Sequence, residues 1–194
     1  ATQDGAGIGR IRWKDIDHNG KITEADQEWI YNPVPDFMYG FNIYLEYKNF
    51  DFTAFFQGVQ GVDIISDLKK ETDIWAGLNI GFLNKGKRLL DAWSVNNPDS
   101  NIPALSLSDN NNEKRVSSYW VENGSYLKLR TIQLGYNFPQ SIASKLAMQR
   151  LRMYVSAQNL FTIKSSSFTG VDPENPNYGY PIPLNITFGL NVTF

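Results

Sequence analysis

Oxygen-bearing side chains recur at a regular spacing between Asp15 and Asp26. Counted from Asp15, this twelve-residue segment has oxygen donors at positions 1, 3 and 5 (Asp15, Asp17, Asn19), glycine at position 6 and a carboxylate at position 12 (Asp26). The same spacing defines the EF-hand loop, which binds Ca²⁺ through carboxylate, amide and main-chain carbonyl oxygens. The sequence therefore predicts a divalent-cation site formed by Asp15, Asp17, Asn19, the carbonyl of Lys21, and Asp26.

Position 12 departs from the EF-hand pattern, because Asp26 stands where a bidentate Glu is usual. The shorter side chain makes bidentate ligation harder, so Mg²⁺ with retained waters competes with Ca²⁺, and an empty turn is the alternative. Thr23 at position 9 is expected to contribute directly or through water. Gly5, Gly7 and Gly9 precede the loop and disfavour a helix there, so we expect a structural clip and not a calcium switch.

The elements that position this loop are predicted from the alternation of apolar and polar residues. From Ile182 to Phe194 every even position is apolar, and every odd position is Pro, Asn, Thr or Gly. This period of two is typical of a strand with one apolar face. Such a strand is long enough to cross a bilayer, which takes about 9–11 tilted residues. An edge strand of a soluble sandwich has the same pattern.

Similar alternation predicts five antiparallel strands in total. A change of phase near Arg130 and Thr131 suggests a β-bulge in the third strand. A long insertion, 62–118, is expected to contain helix-like pieces near 64–70 and 89–93 and a solvated stretch rich in Asn, Asp, Ser and Pro. The predicted strands cover residues 37–48, 50–60, 118–138, 151–163 and 182–194.

The connections between these strands are sorted by length. Those near 48–50 and 139–150 are short, whereas 62–118 and 165–181 are long. Outer-membrane barrels show this asymmetry, with short periplasmic turns and longer external loops. Tyr47, Phe50, Phe138 and Phe194 gather at the short-turn end, as an interfacial aromatic girdle would. The expected fold is therefore all-β, the last part of a transmembrane β-barrel, with an external segment at 1–36 and barrel strands over 37–194.

Composition excludes several classes of protein. The 194 residues carry a net charge of −2, which provides no basic field for nucleic acid, and the absence of cysteine excludes disulfides and catalytic thiols. No apolar run is long enough for a membrane helix, and the first residues carry no signal peptide. We expect either a processed chain or an internal piece of a longer one.

Several segments along the chain carry a family resemblance. They are Arg12–Gly20, Asn32–Phe41, Phe55–Gly61, Glu122–Arg130 with Leu134–Tyr136, Tyr154–Phe161 and Tyr180–Phe194. In the same order, they resemble the carboxyl-terminal part of SusC/RagA-type TonB-dependent transporters of Bacteroidota. The resemblance covers nearly the whole chain and is weakest in 62–118.

The resemblance implies a bacterial outer-membrane importer with a twenty-two-stranded barrel, an amino-terminal plug and a TonB box. It also implies a SusD-like surface lipoprotein as partner and an oligosaccharide or peptide as substrate. Five strands cannot close such a barrel, since their open edges could not lie in hydrocarbon. We therefore expect this chain to supply barrel wall and external loops, with no enzymatic role.

Two sets of residues are candidates for contact with a substrate. A polar set is expected to face the barrel lumen, where it would line the path or pack against the plug: Asn42, Tyr44, Gln57, Gln133, Asn137, Gln158 and Asn185. Trp75, Trp93 and Trp120 would stack on sugars or pack within the loop.

Two other classes of protein remain open from the sequence. A soluble calcium-containing carbohydrate-binding β-sandwich would explain the strands, the EF-like loop and the tryptophans, but not the sorted turns. A glycoside hydrolase needs two facing carboxylates, and no spacing in this sequence indicates such a pair.

Overall fold

A computed structural model describes residues 1–73, 85–106, 108–176 and 179–194. No helix among them is long and apolar enough to span a membrane. The strands are β1 (Phe37–Tyr47), β2 (Phe50–Gln60), β3 (Asp63–Ile65), β4 (Val121–Asn123), β5 (Tyr126–Asn137), β6 (Arg150–Lys164) and β7 (Asn185–Thr193). The α-helices are α1 (Asp67–Asp73) and α2 (Gln140–Ala143), and 3-10 helices cover Glu24–Asp26, Lys87–Asp91, Ser118–Trp120 and Ser144–Leu146.

The main sheet has five strands in the order β1-β2-β5-β6-β7. Each neighbouring pair is antiparallel. Strands β3 and β4 form a separate two-stranded sheet. The five long strands were predicted from their alternation, and their antiparallel order is confirmed.

The main sheet has one apolar face and one polar face, because cross-strand partners point to the same side. One row of partners is Leu45, Phe52, Leu134, Val155 and Phe188, and the adjacent row is Tyr44, Thr53, Gln133, Ser156 and Thr187. Even-numbered residues of β7 lie on the apolar face and are exposed, with Phe188 at 80% and Leu190 at 61%. An apolar face this exposed is what a strand against lipid requires.

The predicted bulge is present in β5. Pairing with β2 shifts between Phe55 and Phe56, and pairing with β6 shifts between Leu129 and Thr131. Relative to β2, Arg130 is the extra residue, so Leu129 stays on the apolar face while Thr131 points to the polar face. Relative to β6 the extra residue lies in β6, where Asn159 and Leu160 stand opposite Arg130.

Three predicted boundaries are wrong. The strand predicted over 118–138 begins only at Tyr126, after a 3-10 helix and the short β4. Gly124 interrupts it: its N–H donates to the carbonyl of Val62 at 2.8 Å, and a Cβ there would lie 2.2 Å from Ile64 Cδ1. The chain therefore turns to approach β3 before β5 starts.

The other two corrections concern helices. The helix predicted at 64–70 is α1, shifted to 67–73 because Asp63–Ile65 is taken up by β3. The piece predicted at 89–93 is the 3-10 helix Lys87–Asp91.

The chain divides into two compact units. The loop lobe comprises 1–31, 65–122 and 176–178, and the sheet unit comprises 32–64, 123–175 and 179–194. In the loop lobe Trp120 is fully buried and packs against Ile65 and Tyr119. The sheet unit is held mainly by the strand ladder described above.

Candidate functional site

The predicted metal loop brings its three carboxylates together. One oxygen from each of Asp15, Asp17 and Asp26 lies within 4.8 Å of the others. His18 and Gly20 adopt left-handed backbone conformations (φ 58° and 82°), which turn the chain sharply between the ligand positions. The spacing of Asp15, Asp17 and Asp26 in the sequence therefore predicted that their carboxylates lie close together.

Backbone N–H groups orient two of these carboxylates through hydrogen bonds. The N–H of Gly20 donates to Asp15 Oδ2 and that of Asn19 to Asp17 Oδ1, each at 3.0 Å. Asp15 Oδ1 is buried and has no hydrogen-bond partner among the described residues. A cation between the carboxylates would satisfy that oxygen, since a buried acceptor without a partner is costly.

Asp26 is held by the residues around it. Its carboxylate accepts from the N–H groups of Thr23 and Ile16, both at 2.7 Å, and Thr23 caps the 3-10 helix Glu24–Asp26. These hydrogen bonds, that of Thr23 first and then that of Ile16, lower the pKa of Asp26 below its usual value. The group is therefore ionised and fixed near neutral pH.

The remaining predicted ligands are placed less directly. Asn19 lies beside Asp17 but turns its amide nitrogen to that carboxylate, with Nδ2 to Oδ2 at 2.7 Å, while its Oδ1 accepts from the N–H of Lys21 at 2.8 Å. Lys21 forms a parallel β-bridge with Thr2. The single histidine, His18, stands at position 4 of the loop pattern, which does not ligate, and it is exposed.

A buried polar cluster anchors the segment that precedes the metal loop. Glu113, 3% exposed, accepts from Arg10 Nε at 2.8 Å and from the N–H of Ile11 at 3.0 Å. Asn111, 2% exposed, donates to the carbonyl of Ile11 at 2.8 Å and to Glu113 at 3.1 Å. Burial raises the pKa of Glu113, but the hydrogen bonds from Arg10 and Ile11 outweigh it and lower the pKa overall.

Sequence reasoning missed this cluster. Residues 110–112 were expected in a solvated loop, yet Asn111 is buried and Trp13 Nε1 donates to its carbonyl at 3.2 Å. Partners about a hundred positions apart in sequence leave no local pattern by which they could be found.

A second buried network lies near Trp120 in the loop lobe. Tyr119 donates to Asp73 Oδ2 at 2.7 Å, and Arg88 approaches the same oxygen at 3.3 Å. Burial, together with the hydrogen bond to Asp73, raises the pKa of Tyr119. Burial lowers the pKa of Lys69, because it disfavours the charged ammonium. That ammonium lies 3.5 Å from Glu122 and donates to the carbonyl of Tyr119. These pairs hold α1 to the Ser118–Trp120 segment.

The candidate lumen residues share the polar face of the main sheet. Pairing places Asn42, Gln158 and Asn185 in one row, and Tyr44 and Gln133 in the next. Gln57 and Asn137 lie further along the same face, where Gln57 accepts from Arg130 at 2.8 Å and Asn137 donates to Asp51 at 3.1 Å.

An ion pair occupies one end of this polar face. Arg152 contacts both oxygens of Asp51, at 2.9 and 2.5 Å. The ion pair requires glycine at position 135, because a Cβ there would lie 2.4 Å from Arg152 Nη2 and 2.5 Å from Asp51 Oδ1.

The candidate sugar-stacking tryptophans have different environments. Trp120 is fully buried, so its ring is unavailable to a sugar. Trp93 is partly buried, and its ring lies where a Cβ on Gly9 would be. Trp75 lies outside the described residues.

Comparison with known sequences relates the chain to TonB-dependent receptors. It is 37% identical to TonB-dependent receptor P3 of Formosa agariphila over 93% of its length, and 32% identical to receptor P26 of the same organism over 96%. It is 28% identical to TonB-dependent receptor SusC of Bacteroides thetaiotaomicron over 92%. It spans only 17 to 20% of the length of these three relatives. No protein-family model matches the chain.

The fold is similar to that of solved RagAB structures. The RagAB peptide transporter matches with a TM-score of 0.72 and 26% identity, covering 91% of this chain and 19% of that one. The RagAB peptide importer in its closed-closed state matches with a TM-score of 0.72 over 93% of this chain and 20% of that one. The expected fold class, an antiparallel sheet of the kind found in these transporters, is confirmed.

Proposed function

Since the chain is homologous to TonB-dependent receptors, SusC among them, over more than nine-tenths of its length, we propose that it forms the carboxyl-terminal wall of a bacterial outer-membrane transporter. The transporter imports nutrients, either oligosaccharides or peptides. Its substrate is captured between the barrel and a SusD-like surface lipoprotein, and TonB acts through a plug outside these residues to open the path. This chain contributes wall and external loops and carries out no chemistry.

The observation that carries this proposal is the pair of unlike faces on one sheet. Large apolar side chains such as Phe188, Leu190 and Leu45 are 59 to 80% exposed on one side. Removing each of these side chains fully from water is favourable by about 1.5–3 kcal/mol of free energy. This face therefore needs an apolar neighbour, which acyl chains provide. The opposite face carries polar side chains and the Asp51–Arg152 pair, as a lumen wall does.

Adjacent residues of β7 provide a matched test of this orientation. Phe188→Arg places a charge on the apolar face, where it costs about 2–4 kcal/mol near the bilayer midplane. Thr187→Arg, on the next residue and the opposite face, is expected to be tolerated. We expect the full-length Phe188→Arg protein to reach the outer membrane at a clearly lower level than Thr187→Arg. Equal levels of the two variants would contradict the assignment of faces.

Import is tested in cells that carry the full-length transporter. Uptake of a fluorescent peptide mixture and of labelled malto-oligosaccharides is compared in the wild type, a transporter deletion and a TonB deletion. We expect uptake of one class to fall in both deletions. Recovery of the full-length protein in the soluble fraction would instead favour the carbohydrate-binding β-sandwich.

We also propose that the loop Asp15–Asp26 holds a divalent cation, Ca²⁺ before Mg²⁺. Asp15, Asp17 and Asp26 would ligate it, together with the Asn19 oxygen after rotation of the amide and the carbonyl of Lys21. Support comes from the gathered carboxylates and the unpaired Asp15 Oδ1. The ion would fix the loop as a structural clip.

Crystals of the full-length protein grown with millimolar Ca²⁺ test the site directly. We expect an anomalous peak about 2.3–2.6 Å from the loop oxygens, lost in Asp15→Asn and kept in the control Asp4→Asn. Ordinary electron density at distances of about 2.1 Å, without an anomalous peak, would identify Mg²⁺ instead. Empty density in the wild type would overturn the cation proposal and leave the transport proposal intact.

A further inference from the structure

Residues 165–175, which follow β6, fold back onto the polar face of the main sheet. We call this segment the strap. At its root the N–H of Ser165 donates to the carbonyl of Ser125 at 3.1 Å. At its far end Asp172 reaches Lys128 of β5 at 2.8 Å. Lys128 pairs across the sheet with Gln57 and so belongs to the polar face.

The far end of the strap is fixed by a charge-neutral cluster. Lys128 is 1% exposed and contacts both Asp172 and Glu174. Tyr126 donates to Glu174 at 2.8 Å, and Arg130, the bulge residue, pairs with the same carboxylate. Two cations and two carboxylates are thereby matched with little access to water.

The charge state of Glu174 agrees with this arrangement. Burial raises the pKa of its carboxyl, but the hydrogen bonds from Lys128, Tyr126 and Arg130 outweigh burial and lower the pKa overall. Glu174 is therefore ionised at neutral pH.

The strap is also compact within itself. The N–H groups of Glu174 and Asn175 both donate to Asp172, at 3.0 Å each. Phe168 is 4% exposed, and its ring lies under the ammonium of Lys164, which also donates to the carbonyl of Gly170. The segment is thus a folded piece of wall and not an open loop.

We propose that the strap is a fixed constriction on the polar face, which narrows the transport path and stays in place while cargo passes. Lifting it would separate Lys128 from both carboxylates, and breaking a buried ion pair is strongly unfavourable. Segments that move during function are drawn instead from parts with few buried contacts. The strap sets an upper limit on cargo size, and this role rests on the proposed transport function.

Hydrogen exchange of the purified full-length protein tests whether the strap is fixed. We expect slow exchange at the amides of Phe168, Glu174 and Asn175. In Lys128→Met, which removes the charge and keeps a long unbranched side chain, exchange should be faster by about tenfold or more. Amides in the β5–β6 ladder report whether the sheet is intact. The control Lys145→Met changes an exposed lysine in a 3-10 helix and should leave the strap unchanged. Fast exchange of the strap in the wild type overturns the proposal.

Passage of a bulky solute tests the constriction. Cells that carry Lys128→Met are expected to become more sensitive to vancomycin than cells with the wild type or Lys145→Met, at equal surface levels. Unchanged sensitivity, despite faster exchange of the strap, overturns the size limit. Absence of nutrient import by the wild type would contradict the transport function without changing the exchange result. Failure of the transport proposal and failure of the strap proposal are therefore distinguishable.

Discussion

The loop lobe and the sheet unit are stabilised by different means. Five long strands hold the sheet unit through continuous backbone ladders, and its apolar face remains exposed. The described residues of the loop lobe lie mostly in short helices and turns, and they are held by buried side chains such as Trp120, Glu113 and Asn111. Single side chains should therefore matter more in the loop lobe, whereas the sheet should be sensitive only where its faces are crowded.

The largest effect is expected from Trp120→Ala in the loop lobe. Trp120 is fully buried, and its Nε1 donates to the carbonyl of Arg115 at 2.8 Å. Its loss should lower the free energy of local opening by about 3–5 kcal/mol, measured by hydrogen exchange at Ser66, whose N–H donates to the carbonyl of residue 120. Trp29→Ala, at an 85% exposed site, is the control and should change little. Equal effects of the two substitutions on exchange would contradict the view that buried side chains stabilise the loop lobe.

Glu113→Gln should weaken the lobe by a smaller amount. Gln keeps an acceptor for the N–H of Ile11 but leaves Arg10 without its charged partner, a loss of about 1.5–3 kcal/mol. Exchange of the Ile11 amide provides the measurement. The matched control is Glu28→Gln, which removes the exposed pair with Lys14 at 3.4 Å and should cost only about 0–1 kcal/mol. Similar values for the two changes would show that burial does not strengthen the lobe pair.

Gly135→Ala probes a crowded point on the polar face of the sheet. The added Cβ would collide with the Asp51–Arg152 pair, at a cost of about 1–3 kcal/mol. Thermal unfolding of the full-length barrel in detergent would record the loss. Gly179→Ala, where no described residue lies within 4 Å of the new Cβ, is the control. No difference between the two would mean that the ladder absorbs the collision.

The smallest effect is expected on moderate acidification of the loop lobe. The pKa of Glu113 is lowered below the 4.5 of an unperturbed Glu. Its stabilising contribution is therefore complete above about pH 4.5 and is lost as pH falls through the folded-state pKa. Exchange at Ile11, compared between wild type and Glu113→Gln, should converge in this acid range. A constant difference down to low pH would refute the assignment.

The sequence predicted the sheet well because the long strands have one apolar and one polar face, and this difference imposes a period of two. The alternation in Ile182–Phe194 gave β7 to within a few residues, and the phase change near Arg130 located the bulge. The start of β5 was missed because the residues that stop it, Gly124 and its neighbours, respond to contacts with Val62 and Ile64 far back in the chain.

The candidate site divides in the same way. The three carboxylates of the loop Asp15–Asp26 are brought together by a local turn, as their spacing predicted, and the cation itself stays a prediction. The anchor of that loop, Arg10 with Glu113, joins positions 103 residues apart. Neither partner belongs to a periodic segment, and so no local pattern indicated the pair. The orientation of the Asn19 amide is likewise set by its neighbours and not by its spacing.

The bulge at Arg130 divides β5 into two halves of opposite numbering. Ile132 and Leu134 place even-numbered residues on the apolar face, whereas Leu127 and Leu129 place odd-numbered ones there. Polar substitutions along this strand should therefore be tolerated at even-numbered positions before Arg130 and at odd-numbered positions after it. Deletion of that arginine would make the alternation continuous, so that both halves keep their faces in a strand that pairs with β2 without a bulge.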